Sequence, residues 1–154
     1  MADKFSAQLD DTRSANFGHL LMKAARLTNE TALARVNLAI NGNFRPAHTQ
    51  LFPHIDLNGT RQTVIAEKIG ISKQAVGQLV RDLENMGTLE RVPDPSDRRA
   101  QLVRFTQKGQ LGLIAGLSVL AQLETDIAQK TSPELINRLK SDLASVLRAL
   151  EGGL

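Results

Sequence analysis

The first third of the chain spaces its apolar residues as one face of a helix does. From about Ser14 to Ile40 they recur at steps of three and four: Phe17, Leu20, Leu21, Ala24, Leu27, Leu33, Val36 and Ile40. This spacing predicts a long amphipathic helix. Asn41-Gly42-Asn43 then interrupts the pattern, because glycine and asparagine tolerate positive φ. A short helix over roughly Pro46 to Ile55 is expected next.

The stretch 62–81 has the spacing of two short helices that cross at a tight turn. It reads QTVIAEKIGISKQAVGQLVR. Ala66 falls where the helices would come closest, and Gly70 can take the left-handed conformation that ends a helix. Five apolar residues would lock the helices together: Ile65, Ile69, Ile71, Val76 and Leu79. The pattern predicts a helix-turn-helix, whose second helix enters the DNA major groove. Thr60 and Ser72 are the expected N-caps of the two helices.

Two stretches of strand-like alternation follow, after Gly87 ends the second helix. Residues 88–92 and 98–105 alternate apolar and polar positions, and Pro93-Asp94-Pro95-Ser96-Asp97 between them is a cluster of turn formers. Together they predict a hairpin with a charged tip. A helix-turn-helix followed by such a hairpin is a winged helix. The expected fold class is therefore mainly α with a small β-hairpin wing.

The helices predicted at both ends of the chain have more apolar surface than a winged helix can cover. A winged helix needs only about 70–90 residues, and two further helices are predicted after Thr106 and after Ser132. A second copy of the chain would bury the surplus, and a two-fold dimer places two recognition helices one DNA turn apart. The expected organisation is a dimerisation region at 1–42, a winged helix-turn-helix at 43–106 and C-terminal dimerisation helices at 107–154.

The composition of the chain limits the classes of partner and the compartment that can be expected. The 154 residues carry a formal charge of +3 and a pI of about 9.6, so a polyanion must meet a local basic surface. Aromatic residues make up 3%, too few to stack single-stranded bases. There is no Cys, which excludes disulfides and thiolate metal sites. The charged N-terminus does not resemble a signal peptide, and no segment reaches the apolar length of a membrane span, so a cytoplasmic protein is expected.

The polar face of the second helix carries the residue types that read DNA. Gln pairs bidentately with adenine and Arg with guanine, whereas groups at a helix N-terminus suit phosphate. At the wing, Arg99 with Arg98 could enter a narrow minor groove, and Asp97 could orient an arginine by an ion pair. The major-groove candidates are Ser72, Lys73, Gln74, Gln78 and Arg81; the phosphate candidates are Thr60, Arg61, Thr63 and Arg91.

The wing and its surroundings resemble the MarR (multiple antibiotic resistance regulator) family. The matching motifs are Asp97-Arg98-Arg99, Phe105-Thr106-Gln107-Lys108-Gly109 and, upstream, the stretch 83–91. The resemblance implies a homodimeric winged-helix transcription regulator, usually a repressor released by a small ligand. It also implies an effector crevice between the DNA-binding lobe and the dimer helices, with candidates chosen by chain position: His19, Met22, Phe44 and Phe52. The family's peroxide-sensing thiol has no counterpart here.

Other functions have less support in the sequence. No phosphate-binding loop, nucleophile elbow or metal motif is present, so no enzymatic activity, cofactor or metal is expected. The histidines, His19, His48 and His54, are expected in loops or interfaces. An architectural DNA-binding protein without an effector stays open as an alternative, as does a winged helix used for protein–protein contact.

Overall fold

Helices flank a small antiparallel sheet in the computed structural model, which describes Ser6, Leu9 and residues 12–153. The expected fold class, mainly α with a hairpin wing, is confirmed. The helices are α1 (Phe17–Ile40), α2 (Pro46–Thr49), α3 (Gln62–Ile69), α4 (Lys73–Asn85), α5 (Gln107–Lys130) and α6 (Pro133–Glu151). The strands are β1 (Thr60–Arg61), β2 (Leu89–Asp94) and β3 (Asp97–Phe105), in the sheet order β1-β3-β2.

The long first helix and its break occur where the apolar pattern predicts them. Asn16 caps α1 by accepting a hydrogen bond from the backbone N–H of His19, and Asn41 ends it with a left-handed φ of 47°. The helix expected over 46–55 is divided into α2 and a 3₁₀ turn, Phe52–His54. Pro53 has no N–H to donate, so a continuous α-helix through this turn would lose a hydrogen bond.

The helix-turn-helix is confirmed at the predicted positions. Gly70 has a φ of 73°, and the backbone N–H groups of Gly70 and Ile71 both donate to the carbonyl of Ala66, at 3.0 and 3.2 Å. Ser72 caps α4, its Oγ accepting from the N–H of Ala75 at 3.1 Å. Ile65 and Val76 are fully buried, as expected. Ile71 is 40% exposed, because it lies in the turn and not in the interface.

Thr60 is not the N-cap of α3, contrary to the sequence expectation. It lies in β1, paired with Val103 of β3. Its Oγ1 accepts from the N–H of Asp56 at 2.9 Å and donates to the Asp56 carboxylate at 3.1 Å. Arg61 takes the capping position without a side-chain hydrogen bond. The chain enters α3 from a strand, so sheet pairing and not a capping side chain sets its start.

The wing is a longer hairpin than predicted. β2 and β3 continue through most of the expected turn cluster, so only Pro95-Ser96 connects them. Their register pairs Leu89 with Phe105, and it shifts at Pro93/Asp94. A proline cannot donate to the ladder and is tolerated where pairing is irregular.

The buried core belongs to the middle of the chain. Its cluster comprises Leu51, Ile55, Ile65, Ala66, Val76, Val80, Leu83, Leu89, Val103 and Phe105. The winged helix thus packs around a core of its own, and Leu113 of α5 adds to its edge. The domain limits 43–106 and the dimerisation regions on either side stay predictions.

The helices at the two ends leave apolar side chains exposed. In α6 no residue is buried, and in α5 only Gly109 and Leu123 are. The exposed large apolar residues of α5 and α6 include Leu111, Ile114, Leu117, Leu120, Leu135, Leu139, Leu147 and Leu150.

The sequence analysis expected no segment as long and as apolar as a membrane span, and this expectation is wrong. By its length and composition alone, α5 meets that description. In α5 an 18-residue window reaches a mean hydropathy of 1.4. An exposed apolar face on a long helix produces this value as readily as a lipid-facing helix does.

Candidate nucleic-acid interface

The polar face of α4 is assembled as the sequence predicts. Ser72, Lys73, Gln74, Gln78 and Arg81 are all exposed, while Val76, Gly77, Val80 and Leu83 are buried on the opposite side. Gly77 is buried and does not belong to the exposed polar face. A Cβ there would lie 2.9 Å from Nε2 of Gln62, so Gly77 lies under the start of α3.

Two of the major-groove candidates are already joined by hydrogen bonds. Nη2 of Arg81 donates to Oε1 of Gln78 at 2.8 Å, and Nε2 of Gln78 donates to Oδ1 of Asp82 at 2.9 Å. The other carboxylate oxygen of Asp82 accepts from Nη2 of Arg45, at the start of α2. The hydrogen bond from Gln78 is the main cause of a lowered pKa for Asp82. Sequence reasoning did not select Arg45 or Asp82.

His48 is a core histidine, contrary to the expectation of a loop or interface position. It is 2% exposed, and its Nδ1 accepts from the backbone N–H of Arg45 at 3.1 Å. The proton of a neutral ring is then on Nε2, which lies 3.6 Å from Oδ2 of Asp82. Burial first, and the Arg45 charge second, lower the pKa of His48 from 6.5. His48 therefore supports the Arg45–Asp82 pair as a neutral imidazole.

A groove of about 540 Å³ lies between the start of α4 and the wing. Four cationic side chains line it together with smaller polar ones. The lining residues are Arg61, Gln62, Thr63, Lys73, Arg91, Pro93, Arg99, Ala100, Gln101 and Val103. The cations come from α4, the wing and the strand before α3. A phosphate backbone entering this groove would meet all of them.

Asp94 holds Arg61 of β1 beside the wing, and the ion pair expected between Asp97 and an arginine stays a prediction. Asp94 is 5% exposed and accepts from Nε of Arg61 at 2.6 Å. It also accepts from the N–H and Oγ of Ser96, at 2.8 and 2.6 Å. These Ser96 hydrogen bonds and then Arg61 lower the pKa of Asp94 to about 2. Asp97 accepts from the backbone N–H of Arg99 at 3.0 Å, which orders the tip.

The phosphate candidates and the minor-groove candidates at the wing, Arg98 and Arg99, differ in how exposed and unpaired their side chains are. Thr63 and Arg99 are exposed at the groove. Arg61 and Arg91 carry carboxylate partners, Asp94 and Glu84, so each brings less net charge to the groove. The hydroxyl proton of buried Thr60 is used by Asp56, so this side chain has no donor left for a phosphate. The side chain of Arg98 lies outside the described part of the structure.

The effector candidates are not brought into one described cavity. Met22 is 67% exposed on α1, and His19 is half-buried near the start of the same helix. Phe44 and Phe52 pack edge to face against each other at the margin of the winged-helix core, with centroids 6.3 Å apart. An effector site formed by these four residues stays a prediction.

Taken together, an exposed polar helix, a cationic groove and a hairpin beside it define a winged-helix DNA-binding protein. The family model described as MarR family matches residues 43–100. The match over residues 43–100 and the shared fold support a DNA-binding transcription regulator similar to those of the MarR family. A comparison with curated protein sequences gave no significant match.

Solved structures support this assignment. The CouR repressor bound to a 23-mer DNA duplex superposes with a TM-score of 0.64, at 26% identity over 87% of this chain and 94% of that chain. Ligand-free MarR from E. coli gives 0.70, at 18% identity over 86% and 97%. CouR from Rhodococcus jostii RHA1 bound to p-coumaroyl-CoA gives 0.61, at 21% identity over 87% and 93%. The last two comparisons show the shared fold.

Proposed function

We propose that this protein is a homodimeric, cytoplasmic repressor that binds a pseudo-palindromic operator and is released by a small-molecule effector. The observation that carries the proposal is the free polar face of α4 beside the cationic groove. In the part of the chain that the structure describes, α1, α5 and α6 leave the five major-groove candidates exposed. Each protomer would place this face in one major groove and its wing in the adjacent minor groove.

The exposed apolar faces of the end helices support homodimerisation. Exposed apolar surface of this extent on a soluble protein marks an interaction surface. A two-fold dimer buries equal faces on both copies and sets the spacing of the two α4 helices. Half-sites about 34 Å apart, one helical turn of DNA, would match such a pair.

The effector part of the proposal is supported by a relative. CouR has been solved both with a DNA duplex and with p-coumaroyl-CoA. In this chain, a ligand held between the winged helix and the dimer helices would change the distance or tilt between the two α4 helices. Only a ligand that binds the two arrangements with different affinity can release DNA in this way.

Selection of bound sequences from a random duplex pool tests the proposal. We expect an enriched inverted repeat with half-site centres one helical turn apart, and a footprint confined to it. Uniform protection without an enriched sequence would support an architectural DNA-binding protein instead. Failure to bind any duplex at low salt would reject both, since phosphate contacts strengthen as salt falls.

A further inference from the structure

Asp82 lies on the flank of α4, between the exposed polar face and the buried core. It is four residues after Gln78 and one after Arg81, and its side chain is 26% exposed. One carboxylate oxygen accepts from Gln78 and the other from Arg45. A carboxylate is repelled by phosphate and accepts hydrogen bonds only, so it suits this internal role better than contact with the DNA backbone.

The hydrogen bonds form one continuous chain from Arg81 through Gln78 and Asp82 to Arg45. Arg81, Gln78 and Asp82 belong to α4, whereas Arg45 comes from the start of α2, 37 residues before Asp82. Glutamine and arginine have long side chains that lose many rotamers when they bind a base edge. A partner that holds them beforehand reduces this entropic cost.

Arg45 is itself held in place. Its backbone N–H donates to Nδ1 of buried His48, and the Asp82 carboxylate that its guanidinium binds lies 3.6 Å from Nε2 of the same ring. His48 cannot move without disturbing the core, because it is almost fully buried. The anchor at the far end of the hydrogen-bond chain is therefore rigid, and the charge of Arg45 is compensated by Asp82.

We propose that Asp82 is a positioning residue for base readout. Tethered to Arg45, its carboxylate fixes the amide of Gln78 and, through it, the guanidinium of Arg81 in the orientation that meets the bases. The proposal rests on the function proposed above and deepens it. Selectivity for the operator then depends on a side chain that does not contact DNA.

The test compares affinity for the selected operator with affinity for a scrambled duplex of equal length. The variants are Asp82→Ala, Asp82→Asn and Arg45→Ala, with thermal melting recorded for each. The control is Glu90→Gln, which removes one carboxylate from an exposed ion pair with Arg104 on the wing ladder. We expect Asp82→Ala and Arg45→Ala to lower the operator-to-scrambled ratio about fivefold to tenfold, within the range of one ordinary hydrogen bond. Asp82→Asn keeps an acceptor for Gln78 and should lose less.

The salt dependence separates positioning from direct contact. For Asp82→Ala, affinity for the scrambled duplex should stay equal or rise, and the slope of log affinity against log salt should not change. A new selection from the random duplex pool should show weaker sequence preference at the base pairs read by Gln78 and Arg81. Equal weakening on both duplexes, or an unchanged ratio, would overturn the role of Asp82. If Arg45→Ala reduced the slope of log affinity against log salt by about one, Arg45 would be a phosphate contact. That result would also overturn the positioning role of Asp82. A wild-type protein that selects no sequence would instead reject the proposed function and this role with it.

Discussion

Gly109 in the first turn of α5 lies directly against the carbonyl group of Thr88, in the segment that joins α4 to β2. A Cβ at position 109 would be 2.0 Å from the Thr88 oxygen and 3.0 Å from its carbon. Thr106 joins the same two elements: its Oγ1 donates to the carbonyl of Gly87 at 2.7 Å and accepts from the N–H of Gly109 at 2.9 Å. Lys108 adds a hydrogen bond to the carbonyl of Met86 at 2.8 Å.

These contacts give a physical reason for the Thr106-Gln107-Lys108-Gly109 motif. Thr106 caps α5 and also binds the segment that follows α4, and only glycine at position 109 allows the backbones to approach so closely. The C-terminal end of α4 is thereby attached to the long helix whose apolar face we expect in the dimer. A change in the dimer arrangement would be transmitted to α4 through this junction.

Gly109→Ala should therefore destabilise the fold. We expect a loss of about 1–3 kcal/mol in the free energy of unfolding, the usual cost of overpacking, because the obstacle is backbone. Urea unfolding of purified protein measures it. Gly112→Ala is the matched control: it lies one turn later in α5 with no atom within 4 Å of the added Cβ. It should be neutral or stabilising by up to about 1 kcal/mol, since alanine favours helix. Equal effects of the two variants would show that the junction tolerates a side chain.

The elements that sequence reasoning predicted are those with local signals. Gly70 must adopt positive φ to end α3, and Ser72 caps the next helix, so the helix-turn-helix can be recognised within twenty residues of sequence. Alternation between polar and apolar residues likewise indicates the hairpin. The long-range pairs left no such signal.

Arg61 meets Asp94 across 33 residues and Arg45 meets Asp82 across 37. Nothing near Asp94 in sequence distinguishes it from Asp97, and only the fold decides which carboxylate is buried beside an arginine. The burial of His48 is hidden for the same reason, because α2 is too short to show an apolar period. The N-cap prediction for Thr60 failed because pairing with β3 cannot be read locally.

Asp94 should make stability depend on pH only in the acid range. The pKa of Asp94 is about 2 in the folded protein and 3.8 in the unfolded chain. As pH falls, the unfolded chain therefore binds the proton before the folded protein does. Its contribution is complete above pH 3.8 and is lost as pH falls towards about 2. We expect Asp94→Asn to be less stable than wild type near neutral pH, with the difference shrinking below pH 3.8. Asp97→Asn serves as the control and should cost less, since its described partner is one backbone N–H. A constant Asp94→Asn difference across this range would contradict the assignment.

His48 should make the stability of the fold depend on pH in a higher range than Asp94 does. Its pKa is lowered from 6.5 by burial and by Arg45, so the unfolded chain binds this proton more readily. Stability from the neutral imidazole is complete above pH 6.5 and declines as pH falls below it. In His48→Gln, which cannot be protonated, the free energy of unfolding should vary less between neutral pH and pH 5, although the variant is less stable at neutral pH. Observation by NMR of His48 protonating at or above pH 6.5 in the folded protein would refute this.

Arg99 should matter most where the operator flanks are rich in A·T pairs. It is exposed at the wing and lines the groove, and a narrow A·T-rich minor groove concentrates negative potential. We expect Arg99→Ala to weaken binding by about 1–3 kcal/mol on such flanks and less on G·C-rich ones. Fluorescence anisotropy with matched duplexes measures the difference. Arg104→Ala is the control, because Arg104 is paired with Glu90 and does not line the groove. A loss independent of the flanks would assign Arg99 to phosphate.

The apolar face of α6 offers the most direct test of the dimer. Leu147 is 56% exposed in the single chain, so Leu147→Glu leaves the winged-helix core untouched. If this face meets a second copy, the buried charge should shift the protein to monomers in sedimentation experiments. Operator affinity should then fall steeply, because one recognition helix binds alone. Arg138→Glu puts the same charge on the opposite side of α6 and should leave the dimer intact. A Leu147→Glu protein that still sediments as a dimer would place the interface on another helix face.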